Sequence, residues 1–199
     1  MDVKTRKAEQ SEATRAALIA AGRELFSTRG FADTATEEIV QRAGVTRGAL
    51  YHHFKDKTDL FRAVVEQIEG EVTAKTGEAA LNAGGVWEGI VAAVDRFLDE
   101  CLDPGIRRVV LVDAPSVLGL TEWRKIERDY GLALISLAIE TAMSEGLIER
   151  RPVEPLAHIV AGAINEAALT IGAADDPLQA RKDVGEALIR FLDGLRAGT

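Results

Sequence analysis

Residues 30–60 read GFADTATEEIVQRAGVTRGALYHHFKDKTDL. Thr34 and Glu37 have the T-x-x-E spacing of a capping box, in which each side chain satisfies a backbone N–H group of the other residue. Gly44 supplies the stop that commonly follows a helix, and Thr46 can cap a second helix with its hydroxyl. The segment therefore predicts two short helices joined by a tight turn, with a third helix following at once.

The second short helix has one apolar face and one unusual polar face. Leu50 and Phe54 are four residues apart and share the inward face. The outward face carries Arg47, Tyr51 and His52 instead of the acids and lysines that are typical of a merely solvated helix. Basic and aromatic side chains in this arrangement indicate a helix that lies in a groove of DNA.

The net charge of −8 is distributed unevenly along the chain. Residues 1–60 contain ten lysines and arginines against nine acids, whereas the remaining residues contain 14 against 23. The range 42–57 holds four basic residues and only one acid, Asp56. Because the local field governs docking more than the total charge does, the acidic balance does not exclude DNA as a partner.

The composition is typical of a soluble helical protein. Of the 199 residues, 47% are hydrophobic and only 5% are aromatic, and good helix formers dominate. Cys101 is the only cysteine, so no disulfide can form within one chain, which fits a reducing compartment. We find no N-terminal apolar leader and no apolar run long enough to span a bilayer. The expected location is the cytoplasm, without a membrane partner.

Apolar spacing and helix-breaking residues predict a series of helices after a mobile N-terminal arm at residues 1–10. The predicted helices cover about 11–28, 34–43, 46–54, 58–75, 86–102, 106–112, 121–144, 155–174 and 177–197.

The last two predicted helices have more apolar surface than one small domain covers. The helix at about 155–174 is apolar nearly all round, and the helix at about 177–197 has a wide apolar stripe. Helices of this kind must be covered on more than one side. We expect a homodimer through about 155–197. The alternative is that the helix at 155–174 is the central core helix of a monomer.

The chain resembles the TetR family of transcriptional regulators over about residues 11–60. The resemblance is carried by Gly30, Phe31, Thr34, Ile39, Ala43, Gly44, Val45, Thr46, Gly48, Leu50, Tyr51, His53, Phe54, Lys57 and Leu60. It implies an all-α protein of about nine helices. An N-terminal three-helix helix-turn-helix DNA-binding domain would span 1–57. A helical effector-binding and dimerisation domain would span 58–199, with its first helix as the connector.

The resemblance also implies a function. The protein would be a dimeric, ligand-responsive regulator that binds a palindromic operator through the helix at 46–54. A small effector would move the connecting helix, change the separation of the two DNA-reading helices and release the DNA. The family favours a repressor over an activator.

The outward residues of the helix at 46–54 are the candidates for direct DNA contact. Arg47 can fork to a guanine edge or pair with a phosphate, and the alternative is a solvated surface arginine. Gly48 permits close approach to DNA, or is simply a flexible turn. Tyr51 can reach a phosphate or belong to the core, and His52 projects toward the groove.

Three further residues are candidates for contact with the DNA backbone. Thr36 and Lys57 match phosphate-contacting positions of the family, and such contacts position a domain without reading sequence. Thr46 caps its helix and can also touch the backbone. A metal site at His52 and His53 is disfavoured because adjacent helical side chains diverge and no other ligand completes a set.

A partly apolar effector is expected in the second domain, because a ligand pocket in a helical bundle combines apolar walls with a few polar groups. The candidate polar residues are Trp123, Tyr130, Asn165 and Glu166. Asn165 and Glu166 interrupt an otherwise apolar helix, so burial would oblige them to find partners. Those partners can be a ligand in the pocket or groups across the dimer interface, and the sequence leaves both open.

Two other classes of function were weighed. An enzyme could use Ser116, His158 and Asp113 as a triad, but no nucleophile elbow, Gly-rich phosphate loop or metal-ligand spacing accompanies them. The sequence therefore predicts no catalytic residue, no cofactor and no metal. A helical carrier or interaction protein without regulatory DNA binding is the remaining alternative.

Overall fold

The computed structural model describes the backbone of residues 3–198 and the side chains of residues 8–198. The helices are α1 (Val3–Arg29), α2 (Thr36–Ala43), α3 (Arg47–His53), α4 (Lys57–Leu81), α5 (Val86–Glu100), α6 (Pro104–Arg107), α7 (Ala114–Leu118), α8 (Leu120–Asp129), α9 (Gly131–Ser144), α10 (Val153–Ala173) and α11 (Pro177–Asp193). A π-helical turn, which we call the π segment, joins α6 to α7 over Arg108–Asp113. Within the described backbone there is no strand, only an isolated bridge between Ile148 and Arg196. The predicted all-α class is confirmed.

The N-terminal helices share a small apolar core. Leu18 and Phe26 of α1, Ile39 of α2 and Leu50 of α3 are fully buried, and Phe54 at the end of α3 is 3% exposed. Burial of these side chains holds α3 by its apolar face, so the opposite face of α3 is turned outward.

The turn between α2 and α3 forms as the sequence predicts. Gly44 adopts the left-handed conformation with φ of 67°, and the N–H of Val45 donates to the carbonyl of Val40 at 3.0 Å. The hydroxyl oxygen of Thr46 accepts from the N–H of Ala49 at 3.2 Å and caps α3. This arrangement satisfies orphan groups at the end of one helix and the start of the next.

The predicted cap of α2 is displaced by one residue. Thr34 is buried and its hydroxyl donates to the carbonyl of Gly30 at 2.7 Å, so this side chain closes the turn after α1 instead of capping α2. The residue preceding α2 is Ala35, whose N–H donates to the carboxylate of Glu38 at 3.2 Å. Glu38 therefore takes the role that the spacing assigned to Glu37.

The first and fourth helices are longer than predicted. Residues 3–10, expected as a mobile arm, continue α1, while Met1 and Asp2 lie outside the described residues. α4 extends to Leu81 and is capped by Asp56, whose carboxylate accepts from the N–H of Asp59 at 2.8 Å. Thr58, the predicted cap, lies inside the helix.

Two of the predicted helices are divided in the structure. The helix predicted at 106–112 is divided into α6 and the π segment, and the helical run continues into α7 through the predicted interruption at 113–115. Pro115 lies in the first turn of α7, where its missing N–H group costs little. The helix predicted at 121–144 is divided into α8 and α9 at Tyr130, whose φ of −121° and ψ of −98° are not helical.

The last two helices pack against each other and against α5. Arg181 of α11 bonds to Asp95 at 2.9 Å and to Asp99 at 2.8 Å, both on α5. The indole N–H of Trp87 donates to Asp193 at 3.1 Å and ties the far ends of the same two helices.

α10 corrects the expectation that no apolar run in the chain is long enough to span a bilayer. By length and composition alone it is apolar enough to cross a membrane. One face of this helix is buried within the chain by Ala157, Val160, Ile164, Ala168 and Ile171, as in the core helix of a folded domain.

Candidate nucleic-acid interface and candidate effector cavity

The outward face of α3 presents the residues that the sequence singled out. Arg47, Gly48, Tyr51 and His52 are all exposed, and 45% of the Tyr51 surface is accessible. Leu50 on the opposite face is fully buried. The helix is therefore anchored by one side and free to contact a partner with the other.

Arg47 is held on the surface by two neighbours. Its guanidinium carbon lies 5.6 Å from the centroid of the Tyr51 ring, and its Nη1 lies 3.0 Å from Oε1 of Glu37. The Arg47 and Glu37 side chains are 64% and 62% exposed. An exposed ion pair contributes at most about 1 kcal/mol, so an anionic partner can replace Glu37 at little cost.

Glu37 belongs to a small network on α2. Its own backbone N–H and then the Thr36 hydroxyl, which donates at 3.1 Å, lower the pKa of the Glu37 carboxyl. Thr36 is half-buried and its hydroxyl oxygen keeps the capacity to accept a hydrogen bond. The predicted phosphate contact of Thr36 stays a prediction.

Lys57 has a structural role that the sequence did not reveal. Its ammonium group donates to the carbonyls of Phe31 at 2.8 Å and Thr34 at 3.0 Å, and lies 4.1 Å from the centroid of the Phe31 ring. An ammonium group has three N–H donors, so two are used inside the protein. A phosphate contact by the third donor remains a prediction.

Gly48 has no internal reason to be glycine. A Cβ atom at this position would meet only the hydroxyl oxygen of Thr46, at an ordinary contact distance of 3.8 Å. Alanine would therefore fit at this position without a clash inside the protein. It would also favour the helix, because glycine weakens a helix. The predicted close approach of Gly48 to DNA stays a prediction.

The histidines show no metal arrangement. The His52 and His53 rings lie 5.2 Å apart, nearly edge to face. Among the described residues, no group of three or more His, Cys, Asp or Glu side chains could hold a metal ion.

The larger helical part of the chain contains a partly open cavity of about 130 Å³. Its apolar wall comes from α4, α5, the π segment, α9 and α10. The main apolar residues are Val72, Ile90, Val94, Phe97, Val110, Leu111, Leu132, Ile135, Ile139, Val160 and Ile164. The polar groups are Glu69, Thr73, Thr76, Glu127, His158 and Asn165.

Two carboxyl groups face this cavity. Glu69 is 8% exposed, and burial together with the charge of Glu127 raises the pKa of its carboxyl to about 7. Burial also raises the pKa of Glu127, against the opposing effect of Asn165, whose amide donates to Glu127 at 2.9 Å. Among the described residues, none donates a hydrogen bond to the Glu69 carboxyl.

The structure separates the four predicted effector residues. Asn165 lines the cavity, whereas Glu166, its neighbour on α10, is exposed on the outer face. Trp123 and Tyr130 do not line the cavity. The Tyr130 ring instead lies against α4, 3.5 Å from the position of a Cβ atom built on Gly70. Tyr130 sits at the break between α8 and α9, a feature that the predicted continuous helix did not contain.

Sequence reasoning missed Glu69 and Glu127 as cavity residues. Glu69 has several acidic neighbours on α4, so composition alone does not distinguish it from a surface acid. A signal was present, because Val65, Glu69, Val72 and Thr76 follow one another at spacings of four, three and four, and all four are buried. An acid on a buried stripe is a candidate functional residue.

The three residues considered as a triad are engaged elsewhere. The Ser116 hydroxyl donates to the carbonyls of Val112 and Asp113 in its own helical region, at 3.1 and 3.0 Å. The Asp113 carboxylate accepts from the N–H of Phe31 at 2.9 Å, while His158 faces the cavity. Within residues 8–198 no hydrogen bond joins the three side chains.

Comparison with known proteins identifies the family. A family model described as bacterial regulatory proteins of the tetR family matches residues 18–64. A second, described as the C-terminal domain of tetracyclin repressor-like proteins, matches residues 87–195. The chain belongs to the TetR family of transcriptional regulators. The matched range 18–64, which contains α2 and α3, is accordingly the helix-turn-helix DNA-binding region of the family.

Individual relatives agree with this assignment. A TetR-family transcriptional regulator from Pectobacterium atrosepticum is 34% identical, with 95% of this chain and 97% of that chain covered and a TM-score of 0.81. The TetC protein of transposon Tn10 from Escherichia coli is 26% identical over 166 residues, 81% of this chain and 82% of its own. The transcriptional repressor BepR from Brucella suis is 46% identical over 59 residues, 30% of this chain and 28% of its own.

We expect Glu69→Gln to stabilise this regulator at pH 8 and to leave its stability nearly unchanged at pH 5. The pKa of Glu69 is 4.5 in the unfolded chain and about 7 in the folded protein. At a pH between these two values, the folded state binds more protons at Glu69 than the unfolded state does. Stability is therefore lost as the pH rises through this window. This pKa shift corresponds to an increase in the free energy of unfolding of the variant on the order of 2–3 kcal/mol at pH 8.

Urea unfolding at the two pH values measures the effect. Glu127 and His158 face the same cavity and are present in both proteins. Because the charge of Glu127 acts on Glu69, the difference reports the burial of Glu69 together with its interaction with Glu127. Glu78→Gln, which removes an exposed carboxylate from the same helix, is the matched control. An equal gain at both pH values would contradict the assignment of a buried, unpaired carboxyl.

Proposed function

We propose that this chain is a dimeric transcriptional repressor that binds a palindromic DNA operator through α3 and is released by a small effector. The protein would act in the cytoplasm, without catalytic activity, metal or cofactor. The observation that carries the proposal is the outward face of α3, whose opposite face is anchored in a buried core. The family to which the chain belongs consists of DNA-binding regulators. The named repressor BepR, similar over 59 residues, supports repression over activation.

The DNA contact is supported by the position of each residue on α3. The N-terminal residues of a recognition helix contact base edges in the major groove, and Arg47 and Gly48 open this helix. Arg47 can reach a guanine or a phosphate by exchanging Glu37 for the new acceptor. Tyr51 follows one turn later on the same face, with Thr36, Thr46, His52 and Lys57 around them as candidate backbone or groove contacts.

We expect the double variant Arg47→Ala, Tyr51→Ala to lose specific DNA binding while it keeps fold and assembly. Each lost contact is worth about 1–3 kcal/mol, so two contacts in each half-site should weaken binding by at least about a hundredfold. Fluorescence anisotropy with the DNA upstream of its own gene, at several salt concentrations, measures the loss. Circular dichroism and sedimentation should be unchanged, because both side chains are exposed.

Arg128→Ala is the matched control, since it removes an exposed arginine from α8. This variant should bind DNA as the wild type does. If the wild type fails to retard this DNA even at low salt, the regulator proposal fails and the carrier or interaction protein becomes the better reading.

The dimer is supported by the outer faces of α10 and α11. Exposed residues on α10 recur at spacings of three and four and form one stripe: Ile159, Gly162, Glu166, Thr170 and Ala173. Ile159 is 61% exposed, and Phe191 on the adjacent α11 is 51% exposed. Large apolar side chains on two neighbouring helices are typical of a protein interface. A two-fold interface also matches a palindromic operator.

We expect Phe191→Glu to convert the dimer into monomers and thereby weaken operator binding. A charge at the centre of a two-fold apolar interface meets its own copy and is buried without a partner. Sedimentation velocity and DNA anisotropy on the same samples measure both effects. Leu137→Glu, at a site on α9 that is 60% exposed, should leave the dimer intact. A dimer that persists in Phe191→Glu would exclude this face as the interface.

The π segment supports a route from the cavity to the DNA-binding domain. Val110 and Leu111 on this segment line the cavity. On the same segment, the Arg108 guanidinium donates to the carbonyl of Thr28 at 2.7 Å and the Asp113 carboxylate accepts from the N–H of Phe31 at 2.9 Å. One short segment of six residues thus contacts both the effector space and the end of α1.

The connecting helix α4 supplies a second contact between the two regions. Glu69 and Val72 on α4 line the cavity, and Lys57 at its start bonds to the turn after α1. An occupant could bind more tightly when the π segment or α4 takes a different position. It would then shift the equilibrium between two orientations of α3 by a free energy equal to its difference in affinity for the two states. π-helical turns are frequent at such functional points.

This route can be tested without knowing the effector, because a larger side chain can fill part of the cavity. We expect Ala138→Leu, in the cavity wall on α9, to weaken DNA binding several-fold, within the range of about 5–150-fold typical of coupled sites. In the background Arg108→Ala, Asp113→Ala the same substitution should have a much smaller effect on DNA affinity. A double-mutant cycle of DNA affinities gives the coupling.

Ala133→Leu is the control, because Ala133 is exposed on the same helix. It should not change DNA affinity in either background. An equal loss of affinity for Ala138→Leu in both backgrounds would show that the π segment does not carry the coupling.

A further inference from the structure

The cavity presents acids without a matching base. Glu69 and Glu127 are both in its wall, and the described residues that line it include no lysine or arginine. His158, exposed at the start of α10, is the only lining side chain that can become cationic. The nearest arginine on α8, Arg124, acts on Glu127 but is itself exposed and outside the wall.

Of the two cavity carboxyls, Glu69 is the one without a hydrogen-bond donor within residues 8–198. It is 8% exposed and faces the cavity, and none of the described residues donates a hydrogen bond to it. The nearby Thr76 hydroxyl directs its hydrogen to the carbonyls of Val72 and Thr73 at 3.0 and 2.9 Å. Glu127, by contrast, has the Asn165 amide. A buried carboxyl without a partner is costly, so an occupant that supplies a donor would be bound at this point.

We propose that the cavity binds a compact hydrophobic amine, whose ammonium group donates to Glu69 with Glu127 as the second acid and whose hydrocarbon part contacts the apolar wall. This inference rests on the proposed function, because it assigns the chemical class of the effector. The ammonium group supplies both the donors and the positive charge that the protein does not provide here.

The size and charge of the cavity set the limits of this class. A dry apolar cavity of about 150 Å³ can hold a benzene ring, so a volume of about 130 Å³ suits a single ring or a short branched chain. A carboxylate or phosphate would face two acids without a lysine or arginine in the wall. A neutral alcohol could donate one hydrogen bond, but charge-assisted hydrogen bonds are about twice as strong as neutral ones.

The experiment compares benzylamine with benzyl alcohol, a neutral molecule of nearly the same shape. Titration calorimetry on the wild-type protein without DNA should give at least about tenfold tighter binding for benzylamine. Glu69→Gln should weaken benzylamine binding by about tenfold or more and change benzyl alcohol binding little. Glu127→Gln should act in the same direction. Glu78→Gln, an exposed acid of the same helix, should bind both molecules as the wild type does.

Several results would overturn the assignment. These are no detectable binding of benzylamine, equal or tighter binding of benzyl alcohol, or benzylamine binding that survives in both Glu69→Gln and Glu127→Gln. The outcome is separable from that of the proposed function. A protein that binds operator DNA but not benzylamine keeps the regulator proposal and loses this one. The reverse result loses the regulator proposal and the effector role, and keeps only the amine site.

Discussion

The position of α3 depends on how the turn after α1 is held. Phe31 in this turn packs against Phe26 and Phe61, with ring centroids 5.8 and 5.1 Å away. The Lys57 ammonium lies over the Phe31 ring and bonds to two carbonyls of the turn, those of Phe31 and Thr34. A partly buried cation is retained here because carbonyl oxygens and an aromatic face replace its water. Through this contact, the start of α4 and the end of α1 are one rigid unit.

The same turn also receives the contacts of the π segment. The π segment bonds to it through Asp113 and to the last turn of α1 through Arg108. The apolar core beneath α3 is fully buried and resists deformation, whereas a π-helical turn has a less regular hydrogen-bond ladder. Under the proposed function, a change in the cavity wall would be relieved by movement at the π segment and α4, with α1 to α3 following as a body.

Strong and weak interactions are divided between the two surfaces of the DNA-binding region. Burial of Leu50 and Phe54 fixes α3, while Arg47 is held only by an exposed ion pair and a ring contact. A side chain that must exchange partners is best held weakly. In the cavity, a group that is firmly buried is also destabilising. The raised pKa of the Glu69 carboxyl means that the folded protein loses stability as the pH rises from about 4.5 to 7. Destabilised groups of this kind are typical of sites that act on a partner.

Local signals predicted the turn between α2 and α3 and the buried face of α3, but not the cap of α2 or the bonds of Lys57. The glycine at 44 and the hydroxyl of Thr46 act on backbone groups a few residues away, so their roles could be predicted from spacing, as could the inward face of Leu50 and Phe54. The capping box predicted at Thr34 was wrong because α2 begins at Thr36, which makes Ala35 the capping residue. Thr34 lies in the turn after α1, where its hydroxyl donates to the carbonyl of Gly30.

The cavity could not be predicted in the same way. Asn165 and Glu166 are adjacent in sequence and point about 100° apart on α10, so only the packing of that helix decides which one faces the cavity. The position of Glu69 on a buried stripe of α4 could signal its burial, but only the packing of the other helices places it in a cavity wall. Tyr130 breaks a helix that its sequence would allow to continue. Residues a few positions apart therefore determined the fold class and the DNA-reading helix. Contacts between distant helices determined which polar groups lost their water, because burial is a property of the whole packed chain.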